Sequence, residues 1–138
     1  MKQISIASST DNVECVRRVA EMLQRLGHAV TCDWFSEKVR KPDGMLKEMN
    51  HVALATMGIN EINGVMNCDI CLALMPGGNG THFELGMAYG MKKKIIIFDP
   101  CLSLLKSTTT FHHTFLKLDG KGVTVTDDIE TVWKEIND

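Results

Sequence analysis

Apolar positions along the chain alternate between short continuous runs and stripes of helical period. Gln3-Ile-Ser-Ile-Ala7 predicts a first strand. Ser8-Ser9-Thr10-Asp11 follows as a turn, with Asp11 and Glu14 at the spacing of a capping box. Val16, Val19, Ala20, Leu23 and Leu26 recur at three- and four-residue steps, which predicts a helix that Gly27 ends. His28 to Trp34 reads as a second strand. Ser36 to Asp43 is polar, charged and broken by Pro42, a candidate mobile loop. Residues 44–67 predict helix with a break at Gly58 and Asn60, then a short helix carrying Glu61, Ile62, Val65 and Met66. Asp69 to Met75 is apolar almost throughout, as a central parallel strand is.

Thr81 to Met91 predicts the next helix and Lys94 to Phe98 the fourth strand, which Asp99-Pro100 ends. Two segments compete to be the fifth strand, Phe115–Leu118 and Val123–Val125. A last helix from Asp127 puts Ile129, Val132, Trp133 and Ile136 on one face. Strands alternating with helices imply right-handed parallel crossovers. The expected fold is therefore α/β: a doubly wound, mostly parallel five-stranded sheet with helices on both faces, flavodoxin- or Rossmann-like, in one domain spanning residues 1–138. No repeat or linker interrupts it.

Composition narrows the partners more than the fold. At 138 residues the chain can bury roughly two-thirds of its unfolded surface. A net charge of −2 supplies no basic field, which argues against nucleic acid or an anionic membrane as the main partner. No run is long enough to span a membrane and Met1-Lys2-Gln3 shows no signal-peptide pattern, so a cytoplasmic location is expected. The five cysteines then imply reduced thiols. Cys68 and Cys71 have C-x-x-C spacing, but no second pair completes a metal site. Their odd offset predicts opposite faces of a strand, and small packing roles for both.

The chemistry concentrates after the third strand, in Pro76-Gly-Gly-Asn-Gly-Thr-His-Phe-Glu84-Leu-Gly86. Gly77, Gly78, Asn79, Gly80 and Thr81 form a turn into a helix, where a ligand can approach the backbone and meet unpaired N–H groups. Glu84, read as a first-turn residue, is expected to be held ionised by the helix dipole. Such a carboxylate suits a nucleophile or charge stabiliser; alternatively the glycines only tighten a strand-to-helix connection. Ligands of doubly wound sheets bind outside the carboxyl ends of the strands. That rule gathers this turn, Ser8, Ser9 and Trp34 on one rim. Ser8 and Ser9 can bind a 5'-hydroxyl or phosphate, or serve only as turn residues; Trp34 can stack on a base or only pack. No arginine lies beside the serine turn, though Lys38, Arg40 or Lys41 can fold over it.

Asp69, the apolar strand, the glycine turn, Glu84-Leu-Gly-Met-Ala88 and Lys94-Ile-Ile-Ile97 together resemble the nucleoside 2-deoxyribosyltransferase family, including its 2'-deoxynucleoside 5'-monophosphate N-hydrolases. Glu61-Ile-Asn-Gly-Val-Met-Asn67 resembles the helix that supplies that family's second carboxylate. The likeness covers residues 3–98 and fades after Pro100. It implies cleavage or transfer at the N-glycosidic bond of (deoxy)nucleosides or their 5'-monophosphates. Glu84 is then the nucleophile and Glu61 the group that protonates the departing base, although the family has Asp where Glu61 stands. Asp69 joins the binding residues by the same likeness, with a capping or positioning part. No metal or organic cofactor is implied. A homodimer or higher homo-oligomer is, with residues 101–118 completing a neighbour's pocket and Thr108–Thr110 and His112 as candidates.

Two other readings share these residues. Pro76 to Glu84 also fits the Pro-Gly-Gly-x-Gly-Thr-x-x-Glu motif of ribonucleoside 5'-monophosphate phosphoribohydrolases, but their earlier glycine-rich phosphate motif is missing. A nucleotide-binding sensor of the same fold would keep the pocket without turnover.

Overall fold

The computed structural model describes residues 1–100, 118, 120 and 122–138. Five parallel strands, β1 (Gln3–Ser8), β2 (Ala29–Val30), β3 (Ile70–Leu74), β4 (Lys94–Phe98) and β5 (Val123–Thr126), form one sheet in the order β2-β1-β3-β4-β5. Among the described residues four α-helices accompany them: α1 (Val13–Arg25), α2 (His51–Asn67), α3 (Asn79–Gly90) and α4 (Ile129–Asn137). The doubly wound α/β architecture expected from the sequence is the one observed.

Alternation along the strands sorts the core into two layers. Ile4, Ile6, Ile70, Leu72, Leu74 and Ile96 point to one face and pack with Val16 and Leu23 of α1 and Val132 and Ile136 of α4. Ala7, Cys71, Ala73, Ile95 and Ile97 point to the other and pack with Val65 of α2 and Leu85 and Ala88 of α3. The large residues of β1 and β3 thus face α1, and their small ones face α3. Small side chains under α3 let that helix lie close to the sheet, which matters for the carboxylate it carries.

Several local expectations are corrected. Asp11 and Glu14 form no capping box. Ser9 caps a 3-10 turn over Thr10–Asn12 instead, α1 starts only at Val13, and Glu14 pairs with Arg17 and Arg18 at 3.6 and 3.8 Å. Gly27 does end α1, with φ at +85°. The second strand is only Ala29–Val30, and Asp33 turns the chain soon after it by accepting the Ser36 N–H at 3.0 Å. Gly58 and Asn60 do not break α2, which runs unbroken from the Asn50 cap; Asn50 accepts the Ala53 N–H at 2.8 Å. Residues 44–50 are not helical. Cys68 lies before β3 rather than in it, so strand alternation does not apply, and it shares the α3-side core with Cys71. Val123–Thr126 is the fifth strand; 115–117 of its rival lie outside the described residues. Among the described residues no helix is long and apolar enough to cross a membrane.

Candidate active site

The chain leaves β1 for β2 on one side and returns to β3 on the other, so the crevice between β1 and β3 is the topological switch point. Their carboxyl ends are stitched together. The Ser9 N–H donates to the Pro76 carbonyl at 3.0 Å, and the Ser8 hydroxyl donates to the Leu74 carbonyl at 2.6 Å. Ser8 Oγ also accepts from Asn12 Nδ2 at 3.0 Å, and Ser9 Oγ accepts the Asp11 N–H at 3.3 Å. Both serines reach the rim, but their first duty is to hold the two turns in register.

Beyond a cis Met75–Pro76 bond the glycine turn doubles back onto α3. A Cβ at Gly77 would lie 2.9 Å from Thr81 Cγ2, closer than side-chain contacts allow. The Gly78 N–H donates to Thr81 Oγ1 at 3.0 Å, and Thr81 is buried. Glycine at 77 is therefore a packing requirement of the strand-to-helix turn.

Ser8, Ser9, Trp34, Glu61, Gly78, Asn79, Gly80, Thr81 and Glu84 line one cleft of about 360 Å³. The sequence singled out each of them, and they come from β1, the segment after β2, α2 and α3. Gly77 shapes the turn behind this surface. Asp69 is not brought there: it accepts the Gln3 N–H at 2.8 Å at the amino end of β3, whereas the cleft opens at the carboxyl ends. It ties β1 to β3 and takes no part in the cleft. Thr108–Thr110 and His112 lie outside the described residues.

The electrostatics of Glu84 differ from expectation. α3 begins at Asn79, so Glu84 stands in its second turn, beyond the reach of the unpaired N–H groups and most of the dipole. Burial pushes its carboxyl up to about 8, and the charge of Glu61 pushes the same way. Glu61 is itself raised by burial, opposed by the positive charge of Arg40. The helix does not hold Glu84 ionised; burial and the neighbouring Glu61 carboxylate favour its protonated form.

Sequence reasoning missed how the wall opposite these carboxylates is built. Trp34 is buried, and its indole N–H donates to the Ile6 carbonyl at 2.8 Å. Arg40 Nε donates to the Trp34 carbonyl at 2.8 Å and Nη1 to the Gly44 carbonyl at 3.2 Å. Its guanidinium lies 5.3 Å from the centre of the Trp34 ring. Gly44, at φ +87°, lies so close to the turn after β1 that a Cβ would sit 2.6 Å from the Thr10 carbonyl. The segment expected to be mobile is thus bonded into a wall, and Arg40, not a free ring face, fronts Trp34. Thr10, Leu46 and Met57 complete the lining. Of Lys38, Arg40 and Lys41, which the sequence offers as able to fold over the serine turn, Arg40 lines the cleft with Ser8 and Ser9. Its place over Trp34 depends on how the segment folds back and is not legible in sequence.

A larger groove of about 820 Å³ runs between β2 and α2 and is lined by Asn60, Asn63 and Asn67, but holds neither carboxylate. Convergent chemistry, not volume, marks the smaller cleft as the site. Among the described residues no group of three His, Cys, Asp or Glu side chains is placed to hold a metal ion.

The model of the family described as nucleoside 2-deoxyribosyltransferase matches residues 6–126. The chain belongs to that family. Its members are enzymes that transfer or hydrolyse at the N-glycosidic bond of nucleosides and nucleotides. A search of curated proteins returned no match. Among solved structures, the CMP N-glycosidase BcmB of Clostridium botulinum superposes with a TM-score of 0.55 at 13% identity, over 97% of this chain and 98% of that one. At that identity the likeness speaks for the fold.

Proposed function

We propose that this family member breaks the N-glycosidic bond of a (deoxy)nucleoside or its 5'-monophosphate, with Glu84 as nucleophile and Glu61 as acid and base. The observation that carries the reading is the coupled pair Glu61–Glu84 in one cleft beside the glycine turn. Departure of a nucleobase builds positive charge on the sugar, which an ionised carboxylate beneath C1' stabilises and can bond to. The departing base needs a proton. A pair that shares one proton supplies both forms, as in retaining glycoside hydrolysis.

In the resting pair burial favours the proton on Glu84. It passes to Glu61 as substrate settles, and the Arg40 charge then favours its release from Glu61 toward the base. The C1'–N bond breaks, its electron pair leaves with the base, and Glu61 delivers the proton. A Glu84 oxygen forms the new bond to C1'. In the second half a second base or water attacks C1', gives its proton to Glu61, and releases Glu84.

The test is chromatography of free base after incubation with deoxyribo- and ribonucleosides and their 5'-monophosphates, each with and without a second base. Base release that disappears in Glu84→Ala supports the reading, and a new nucleoside marks transfer rather than hydrolysis. Tight binding with no release from any substrate would favour a sensor.

A further inference from the structure

Arg40 is the only cation lining the cleft among the described residues. It is 7% exposed, and two of its donors are committed: Nε to the Trp34 carbonyl and Nη1 to the Gly44 carbonyl. Nη2 has no hydrogen-bond partner among the described residues and is not closed off from solvent, which leaves it as the donor open to a ligand. Its guanidinium carbon lies over the Trp34 ring, 5.3 Å from the ring centre, and Trp34 is in turn anchored to the Ile6 carbonyl of β1. A guanidinium bonded at two points and stacked at a third has little freedom to lose when it binds.

Besides the carboxylates and the glycine turn, the lining holds the apolar side chains of Leu46 and Met57 and, in front of the Trp34 ring, the Arg40 guanidinium. Among the described residues that is apolar surface and a single cationic donor, which suit a flat base that carries an acceptor. We propose that Arg40 is a catalytic residue that donates from Nη2 to an exocyclic oxygen of the departing base, stabilising the charge that gathers there as the C1'–N bond breaks. This rests on the N-glycosidic reading above and adds a substrate class, oxo-bearing bases: pyrimidines and oxopurines. The electron pair of the broken bond spreads from the ring nitrogen to that oxygen. Arg40 keeps its own proton throughout, and Glu61 supplies the one that neutralises the base. A preorganised donor aimed at developing charge in a site with little water is the most effective kind.

The experiment compares base release from deoxyuridine and 5-fluorodeoxyuridine, each as nucleoside and 5'-monophosphate, by the wild type, Arg40→Gln and Arg40→Lys. Fluorine makes uracil a better leaving group with almost no change of shape. Arg40→Gln should lose about a hundredfold on deoxyuridine, the size of effect seen for an oxyanion donor. Its loss on the fluorinated substrate should be several-fold smaller, since that base needs less help. Equal losses on both substrates would reduce Arg40 to a support of the wall and overturn the proposal, as would no loss on either. If Arg40→Gln does not fold, the same ratio in Arg40→Lys decides, because lysine keeps the charge but not the three-point anchoring. If the wild type acts on none of these four, guanine and adenine ribo- and deoxyribonucleotides are compared. Release of adenine alone overturns this proposal and leaves the N-glycosidic reading standing. Release of guanine moves the Arg40→Gln comparison to guanine against adenine substrates, with a selective loss on guanine expected and equal losses overturning the proposal. Release of no base from any nucleoside or nucleotide sinks both.

Discussion

Glu61 of α2 and Glu84 of α3 line the same cleft, and the charge of Glu61 adds to burial in raising the Glu84 carboxyl to about 8. Neither helix alone has this property. It arises because Ala7, Cys71 and Ala73 let α3 sink onto the sheet while α2 packs alongside it. Glu61 in turn feels Arg40, so three charged side chains from three segments share one electrostatic balance.

The first consequence is a pH profile. The working state carries one proton on the pair, so kcat/KM should fall at low pH when both carboxyls are protonated and fall again above about pH 8 when the last proton leaves. In Glu61→Gln the sign of the upper limb should reverse. The remaining glutamate must be ionised to attack, so the residual rate should climb with pH through a Glu84 value lowered by loss of the neighbouring charge. Initial rates of base release across the acid, neutral and alkaline range check this. An unchanged alkaline fall in Glu61→Gln would show that the pair does not share its proton.

The same pair weakens the fold. Between the ordinary carboxylate range and about 8, the native state holds a proton on Glu84 that the unfolded chain has released. Stability therefore falls as pH rises through that window. Glu84→Gln should remove the penalty and stabilise the protein by on the order of 2 kcal/mol at about pH 8, allowing for partial solvent access, and by much less at about pH 5. Thermal melts at the two pH values read the difference. A variant less stable than wild type at the higher pH would contradict it.

Gly77→Ala should act through the turn. The added methyl lands 2.9 Å from Thr81 Cγ2 and 3.3 Å from Met75 Sδ, so either the turn or α3 must shift. A loss of about 1–3 kcal/mol is expected from overpacking of this kind. Because α3 carries Glu84, turnover should drop along with stability. Gly78→Ala, whose Cβ meets nothing within 4 Å, is the matched control and should melt close to wild type.

Trp34→Phe should loosen the wall without emptying it. It strands the Ile6 carbonyl, which accepts the indole N–H at 2.8 Å, and weakens the stack under Arg40. The cost should be about 1–2 kcal/mol in a denaturant melt. If Arg40 acts on the departing base, KM should change less than kcat.

Periodicity and turn chemistry made the sheet and the rim legible in sequence. Strand-to-helix alternation predicts the parallel sheet, and the rule for carboxyl ends gathers Ser9, the glycine turn and Glu84 on one rim. Local patterns misled where a tertiary contact decided the outcome. Gly58 looks like a helix break, yet one glycine costs a helix only about 1 kcal/mol, and α2 is held by its Asn50 cap and its buried Gly64-Val65 end. Gly64 rather than Gly58 is the glycine with a packing role, since its Cβ would meet Cys32 Cβ at 2.9 Å. Glu84 looks like a first-turn residue held ionised, and counting from an assumed helix start at Thr81 makes it one. The true start at Asn79 moves it beyond the helix terminus and leaves burial to set its proton affinity. Arg40 sits in a segment whose polarity suggests mobility, and only the folded chain shows its two carbonyl partners.

The most direct test of Glu84 as the nucleophile is to trap the sugar on the enzyme. A slow substrate, a nucleoside bearing fluorine at the 2' position of the sugar, would be incubated with the protein, quenched in acid, and the protein digested for peptide mass spectrometry. A glycosyl adduct is expected on the peptide containing Glu84, absent in Glu84→Gln and discharged when a second base or time for water is supplied. Base release with no adduct, or an adduct on any other residue, would contradict the assignment.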